Sequence, residues 1–130
     1  MAVTSKVAVV TGAGTGIGKA VALALMKEGF AVTLAGRRKD KLDETAAESI
    51  KVNGQSLVVP PDVSDPASVK ALFARTREVF GRCDVLFNNA GIGGATPLEM
   101  TPEDEHRTIF ETNYFGAVRC IQAVLPAMRE

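Results

Sequence analysis

Residues 6–18 read KVAVVTGAGTGIG, in which an apolar run leads directly into four closely spaced glycines. The run Lys6–Thr11 hardly alternates between apolar and polar residues, which is typical of a strand that is covered on both faces. After the glycines, apolar residues recur at helical spacing until Gly29 supplies the glycine that often follows a helix. These apolar residues are Ile17, Ala20, Val21, Ala24 and Leu25. The segment therefore predicts a buried strand, a glycine-rich turn and a helix.

The same order of elements repeats along the chain. Further strands are predicted at Ala31–Ala35, Gln55–Val59 and Asp84–Phe87, with helices over 39–52, over Pro66–Phe80 and from Thr101 almost to the end. The last helix is expected to have Thr101 as its cap, Pro102 in its first turn and carboxylates directly after it. Four strand–helix units with short connections require right-handed crossovers. They predict an α/β fold with one doubly wound parallel sheet and helices on both faces.

The composition is that of one ordinary globular domain. The 130 residues are 46% hydrophobic and 23% charged, and 15 Lys and Arg balance 15 Asp and Glu. Balanced charge and few aromatic residues do not favour nucleic acid as a partner. The apolar run Val7–Val10 is too short for a signal sequence or a membrane span. We therefore expect a cytoplasmic protein with no nucleic-acid or membrane partner.

The cysteines and the histidine do not suggest a metal site. Cys83 and Cys120 are far apart and form no C-x-x-C pair, so we expect both to be buried, reduced thiols. The single histidine, His106, lies in an acidic helical turn and is expected to be a surface residue.

The first glycine-rich turn is the main candidate for a binding site. In doubly wound sheets, ligands bind beyond the carboxyl ends of the strands. Glycines between a strand and a helix allow a pyrophosphate to approach the backbone, where free amides and the helix dipole hold its charge. The candidate residues here are Gly12, Gly14, Thr15, Gly16, Ile17 and Gly18. The alternative is a glycine turn with no ligand.

The spacing is T-G-x-x-x-G-I-G rather than G-x-G-x-x-G, and it resembles the glycine motif of the short-chain dehydrogenase/reductase family. Three further segments resemble that family in the same order: Asp62-Val63, Asn88-Asn89-Ala90-Gly91 and Asn113 within Glu111-Thr112-Asn113-Tyr114. The pattern is nearest to 3-oxoacyl-ACP reductase-like members. The resemblance implies a Rossmann-type sheet, of which residues 1–130 would form the dinucleotide-binding portion.

The resemblance also implies roles for these residues. Asp62 and Val63 would contact the adenine, and Asn113 would support the catalytic proton relay. In the cofactor-binding segment Asn89-Ala90-Gly91, the small Ala and the Gly would allow a ribose to lie against the backbone, while an Asn of Asn88-Asn89 would tie neighbouring strands together. Ordinary turns are the alternative for the first two segments. Asn113 shares a predicted helical face with Ile109, Phe110, Ala117 and Ile121. We therefore expect a buried amide there, for which a purely structural hydrogen bond is the alternative.

The end of the second predicted strand indicates which cofactor is bound. An NAD-selective site usually places Asp or Glu at this point, whereas this chain has Gly36 followed by Arg37 and Arg38. Arginine can form a forked, charge-assisted contact with a 2′-phosphate. The sequence thus favours NADP over NAD, although Thr15 is not the basic residue that many NADP-preferring members carry. The alternative is that both arginines are solvated residues at the start of a helix.

Members of this family also use a Tyr-x-x-x-Lys pair and a serine, which follow a fifth strand. The only tyrosine is Tyr114, and Val118 stands four residues later. We expect the catalytic carboxy-terminal portion to lie outside these 130 residues. The parent enzyme would transfer hydride between NADP(H) and a ketone or secondary alcohol, as a homo-oligomer. The alternative is a non-catalytic nucleotide-binding or interaction module.

Overall fold

The computed structural model describes residues 5–130, which form one parallel sheet of four strands. The strands are β1 (Val7–Thr11), β2 (Ala31–Ala35), β3 (Gln55–Val59) and β4 (Val85–Phe87). Their order is β3-β2-β1-β4, and all neighbours are parallel. The register pairs Thr11 with Ala35 and Ala35 with Val59, so these three strands end together at one edge.

Helices cover both faces of this sheet. They are α1 (Gly16–Lys27), α2 (Lys39–Ser49), α3 (Pro66–Phe80), α4 (Glu103–Phe110) and α5 (Gly116–Met128). Short 3₁₀ turns occupy Ile50–Val52 and Leu98–Met100. Helix α1 packs against α2, and α3 packs against α5. This is the doubly wound, Rossmann-type α/β fold that the sequence predicted. None of the helices formed by residues 5–130 combines enough length and apolar character to cross a membrane.

The two central strands form the middle of the core. Every residue of β1 and β2 is buried, whereas β3 and β4 are only partly buried because each has a neighbouring strand on one side only. Continuous apolar runs are what strands covered on both faces require. The prediction of a covered first strand is therefore confirmed, and β4 lies at an edge.

The buried face of α1 differs from the apolar pattern of its sequence. The buried residues are Gly18, Ala22 and Met26, whereas Ala20 and Ala24 are exposed, as is Ile17. A Cβ atom on Gly18 would lie 2.0 Å from the Gly12 carbonyl oxygen. Because Gly18 has no side chain, α1 can turn this position toward Gly12, and this fixes which face of the helix is buried. A hydropathy pattern does not reveal this.

The starts of α3 and α4 show how turn residues decide where a helix begins. Helix α3 begins as predicted, with Pro66 in its first turn and the Asp65 carboxylate accepting from Ala67 N at 3.1 Å. The predicted cap of the last helix is wrong. The Thr101 hydroxyl donates back to the Pro97 carbonyl at 2.9 Å, and α4 starts at Glu103. The preceding 3₁₀ turn offers this carbonyl locally, which competes with the capping position.

Candidate functional site

A cleft of about 250 Å³ lies beyond the carboxyl ends of the strands. It collects residues from the loops that follow all four strands. Nine predicted site residues line it: Gly12, Gly14, Thr15, Arg37, Arg38, Asp62, Val63, Ala90 and Gly91. Gly16, Ile17, Gly18, Asn89 and Asn113 are not among the lining residues. Ala35 and Gly36 at the end of β2 also line it, as do five residues that the sequence analysis did not single out: Lys41, Leu42, Pro61, Ile92 and Thr112.

The glycines of the first loop perform different tasks. Gly12 has φ +64°, and a Cβ atom on it would lie 2.8 Å from the Asn89 carbonyl oxygen. Together with Gly18, it allows the loop to pack closely against its neighbours. Gly16 also has a positive φ, of +56°, but a Cβ atom there would meet nothing within 4 Å. Gly16 therefore leaves open space in front of the start of α1.

The start of α1 is open to an anion. Thr15 precedes the helix without a side-chain hydrogen bond to it, and the first turn contains no acidic residue. Ile17 in that turn is 68% exposed. The first amides of a helix have no partner within the helix, and the dipole places positive charge at this end. The geometry suits a phosphate group.

Thr11, at the end of β1, connects the first loop to the loop after β4. Its side chain is buried, and its hydroxyl oxygen accepts from Asn89 N at 2.8 Å and from Ala90 N at 2.9 Å. The Asn89 side chain donates to the Gly12 carbonyl at 3.5 Å. The sequence analysis missed this role of Thr11. The available signal was a hydroxyl residue at the end of an otherwise apolar buried strand.

Asp62 is held in a tight turn while it lines the cleft. One carboxylate oxygen accepts from Ser64 N at 3.0 Å and from Ser64 Oγ at 2.6 Å. These hydrogen bonds lower the pKa of Asp62, and the positive charge of Arg37 lowers it further. The carboxylate is thus kept ionised, and its second oxygen has no hydrogen bond within residues 5–130.

Val63 is anchored from the opposite face of the sheet. A Cβ atom on Gly116 would lie 2.7 Å from Val63 Cγ2, so α5 packs directly against this residue. The Arg119 guanidinium donates to the Val63 carbonyl at 3.3 Å and also pairs with Glu111. The turn after β3 is therefore held in place by its contacts with α5.

The two arginines after β2 have different surroundings. Arg38 pairs with Asp40 at 3.0 Å, and both side chains are largely exposed. For Arg37, no carboxylate of residues 5–130 lies within ion-pair distance. Arg37 lines the cleft, and its positive charge helps to lower the pKa of Asp62 in the loop after β3. The two arginines therefore differ in their ion pairing, which the sequence does not reveal.

Asn113 lies in a π-helical turn, Glu111–Phe115, which interrupts the long helix predicted at the end of the chain. Its side-chain oxygen accepts from Ile92 N at 2.8 Å, and its amide nitrogen donates to Ile92 O at 2.7 Å. The predicted buried amide is wrong, because Asn113 is exposed. Phe110 before this turn and Ile121 after it, both part of the expected apolar stripe, are exposed as well. π turns often mark functional sites.

The remaining titratable candidates lie away from the cleft. Cys120 is buried as expected, whereas Cys83 is only partly buried because it lies just before the edge strand β4. Burial raises the pKa of both thiols to about 11, and both are free. His106 is partly exposed. Within residues 5–130, no group of three or more His, Cys, Asp or Glu side chains could hold a metal ion.

Known proteins are similar to this chain in sequence and in fold. The chain is 40% identical over 131 aligned residues to an uncharacterized oxidoreductase of Staphylococcus aureus (strain N315), covering 98% of the chain and 54% of that protein. It is 39% identical to an uncharacterized oxidoreductase of Listeria monocytogenes, covering 98% and 51%. The chain thus spans about half the length of the curated relatives that it matches.

Solved structures agree with these relatives. An alcohol dehydrogenase from the archaeon Thermococcus sibiricus, complexed with 5-hydroxy-NADP, superposes with a TM-score of 0.91 at 36% identity, over 96% of this chain and 54% of that one. L-Sorbose reductase from Gluconobacter frateurii, complexed with NADPH and L-sorbose, gives 0.90 at 35%, over 99% and 49%. The family model described as short chain dehydrogenase matches residues 6–130. The chain therefore belongs to the short-chain dehydrogenase family of oxidoreductases.

Proposed function

We propose that this chain is the dinucleotide-binding portion of an NADP-dependent oxidoreductase, which transfers hydride between NADP(H) and a ketone or secondary alcohol. The single observation that carries the proposal is the cleft at the carboxyl ends of the strands. Loops from all four strands meet there, and cations follow β2 where an NAD-selective site would present a carboxylate. The structural neighbours complexed with NADP-type cofactors support this choice.

The residues that line the cleft, together with the adjacent start of α1, fit the parts of such a cofactor. The open start of α1 at Gly16 suits the pyrophosphate. The free oxygen of Asp62 can accept from the adenine amino group. Ala90 and Gly91 offer a flat wall for a ribose, and Arg37 can reach a 2′-phosphate. NADPH, when bound, supplies the hydride, and these residues bind and orient it.

Asn113 is proposed to act through its position in the π turn. Both polar groups of its side chain are bonded to the backbone of Ile92. The side chain therefore fixes the loop after β4 against the helix, and we assign the support of a water-borne proton relay to the local backbone. This combines the structural and the catalytic interpretations of Asn113, because its two hydrogen bonds to Ile92 would hold in place the backbone that supports the relay.

The proton donor is expected outside these 130 residues. Tyr114 is 57% exposed, packs edge-to-face on Phe115 with ring centroids 5.0 Å apart, and has no lysine four residues later. The lack of a lysine four residues after Tyr114 also favours the second candidate function, a nucleotide-binding module without catalysis.

One experiment separates the two functions. NADPH binding by fluorescence titration and NADPH-dependent reduction of a panel of ketones are measured for the full-length protein and for the isolated Met1–Glu130 chain. We expect turnover by the full-length protein only. Turnover by the 130-residue chain would contradict the assignment of proton transfer to the missing portion. Binding without turnover by the full-length protein would favour the module.

We also propose a cytoplasmic homo-oligomer as the full-length form. Exposed apolar side chains on the α4–α5 segment support association; they are Phe110, Tyr114, Phe115 and Ile121. The isolated chain also leaves β4 with a strand on one side only, and an open edge promotes pairing with another chain. Light scattering of both proteins tests this, and a monodisperse monomer in each case would refute it.

A further inference from the structure

We propose that Lys41 is a specificity-determining residue, whose ammonium group supplies a second cation for the 2′-phosphate of NADP. This inference deepens the proposed function and rests on it. The sequence analysis assigned the 2′-phosphate to Arg37 and Arg38 and did not consider Lys41.

The position of Lys41 carries the first step. It lies in the first turn of α2, and a Cβ atom on Gly14 would come within 2.8 Å of Lys41 Cβ. The absence of a side chain at Gly14 therefore lets the lysine lie directly against the glycine loop. Lys41 lines the same cleft as Thr15 and Arg37. Its side chain thus bridges the first loop and the start of α2, on the wall where a 2′-phosphate would lie.

The charge of Lys41 carries the second step. Its side chain is only 32% exposed, and Glu44 approaches it at 3.5 Å from an exposed position. Such a long, exposed contact contributes little. Lys39, two residues earlier, is 68% exposed and pairs with Asp43 at 2.9 Å. The Lys41 side chain is therefore less exposed than that of Lys39, and its ion pair is longer, so its charge is more available to an incoming anion.

The composition of the cleft carries the third step. The glycine loop, residues 12–18, contains no Lys or Arg, so a cation beside it must come from another element. Arg38 already pairs with Asp40 at 3.0 Å at an exposed position, whereas Arg37 forms no ion pair among residues 5–130. A phosphate monoester carries between one and two negative charges near neutral pH, which is more than one guanidinium neutralises. Lys41 is the remaining cation of the cleft wall.

The test is Lys41→Met, which keeps the aliphatic stem against Gly14 and removes the charge. Lys39→Met, from the same helical turn, is the matched control. Dissociation constants of NADPH and NADH are measured by fluorescence with the full-length protein, and 2′,5′-ADP and 5′-AMP are compared as competitors. We expect Lys41→Met to weaken NADPH and 2′,5′-ADP about tenfold, equivalent to about 1.4 kcal/mol, with NADH and 5′-AMP unchanged. Lys41→Arg should restore most of the preference.

The outcomes are separable. An unchanged NADPH-to-NADH ratio in Lys41→Met would overturn the role of Lys41 while the NADP preference of the wild type stands. An equal loss for all four ligands would also overturn it, because the lysine would then be structural. If the wild type binds NADPH and NADH equally, the proposed NADP preference fails, and this inference fails with it. Equal effects of Lys39→Met and Lys41→Met would reduce the result to general electrostatics and refute the specific contact.

Discussion

Replacing Thr11 by valine tests the connection between the first glycine loop and the loop after β4. Valine has nearly the shape of threonine and suits a strand, so the change removes the hydroxyl with little effect on packing. That hydroxyl accepts two backbone hydrogen bonds, from Asn89 N at 2.8 Å and from Ala90 N at 2.9 Å. Its own proton reaches the Phe87 carbonyl at 3.4 Å. Thr11→Val therefore leaves two amides without their acceptor.

The magnitude follows from the two amides. A buried donor that loses its partner costs about 1–3 kcal/mol. Asn89 and Ala90 are partly exposed beside the open cleft, so water can reach them and the lower half of the range applies. We expect Thr11→Val to reduce the free energy of unfolding by about 2–4 kcal/mol in total. NADPH binding should weaken as well, because the loop that carries Gly91 loses its anchor.

Thr33→Val is the matched control within the same sheet. Thr33 is fully buried, and its hydroxyl contacts Thr76 Oγ1 at 2.9 Å. Thr76 retains the Leu72 carbonyl as an acceptor at 2.9 Å, so this substitution leaves no donor unpaired. Its cost should stay below about 1 kcal/mol. Urea denaturation followed by circular dichroism compares both variants with the wild type. Equal losses for the two variants would refute the argument.

Three further predictions concern the cleft. Gly16→Asn should sharply weaken NADPH binding, because asparagine tolerates the φ of +56° and its side chain would fill the open space before α1. Gly29→Asn is the control and should not weaken it, because Gly29 also has a positive φ and open space around it. Equal NADPH affinities of the two variants would contradict this. Arg37→Ala should weaken NADPH more than NADH and more than Arg38→Ala does, because Asp40 already holds Arg38; a parallel loss for both cofactors would identify a structural arginine. The pKa of Asp62 lies below its usual value because Ser64 donates to it, so its stabilisation is present above about pH 4 and is lost as the pH falls through its folded-state pKa. Asp62→Asn should therefore make the free energy of unfolding less dependent on pH in this acidic range, and an unchanged profile would count against the turn.

The sequence predicted the elements of this fold because their signals are local. The bounds of β2, β3 and α3 agree with the structure, since apolar runs, Pro66 and Gly81 mark them directly. The loops that form the cleft were also predicted, because in a doubly wound sheet the carboxyl ends of parallel strands meet at one edge. Nine of the predicted residues therefore line a single cleft, although they lie far apart in the chain.

Only the tertiary structure decided how those loops contact one another. The bond between Thr11 and Asn89 joins residues 78 positions apart, and the contact between Gly14 and Lys41 joins two separate strand–helix units. The π turn at Asn113 and the rotation of α1 at Gly18 likewise depend on close packing against other elements. Periodicity and turn chemistry are properties of neighbouring residues. Other properties depend on atoms that only folding brings together. They include the partner of a buried hydroxyl, the exposure of an amide, and which of two adjacent arginines forms an ion pair.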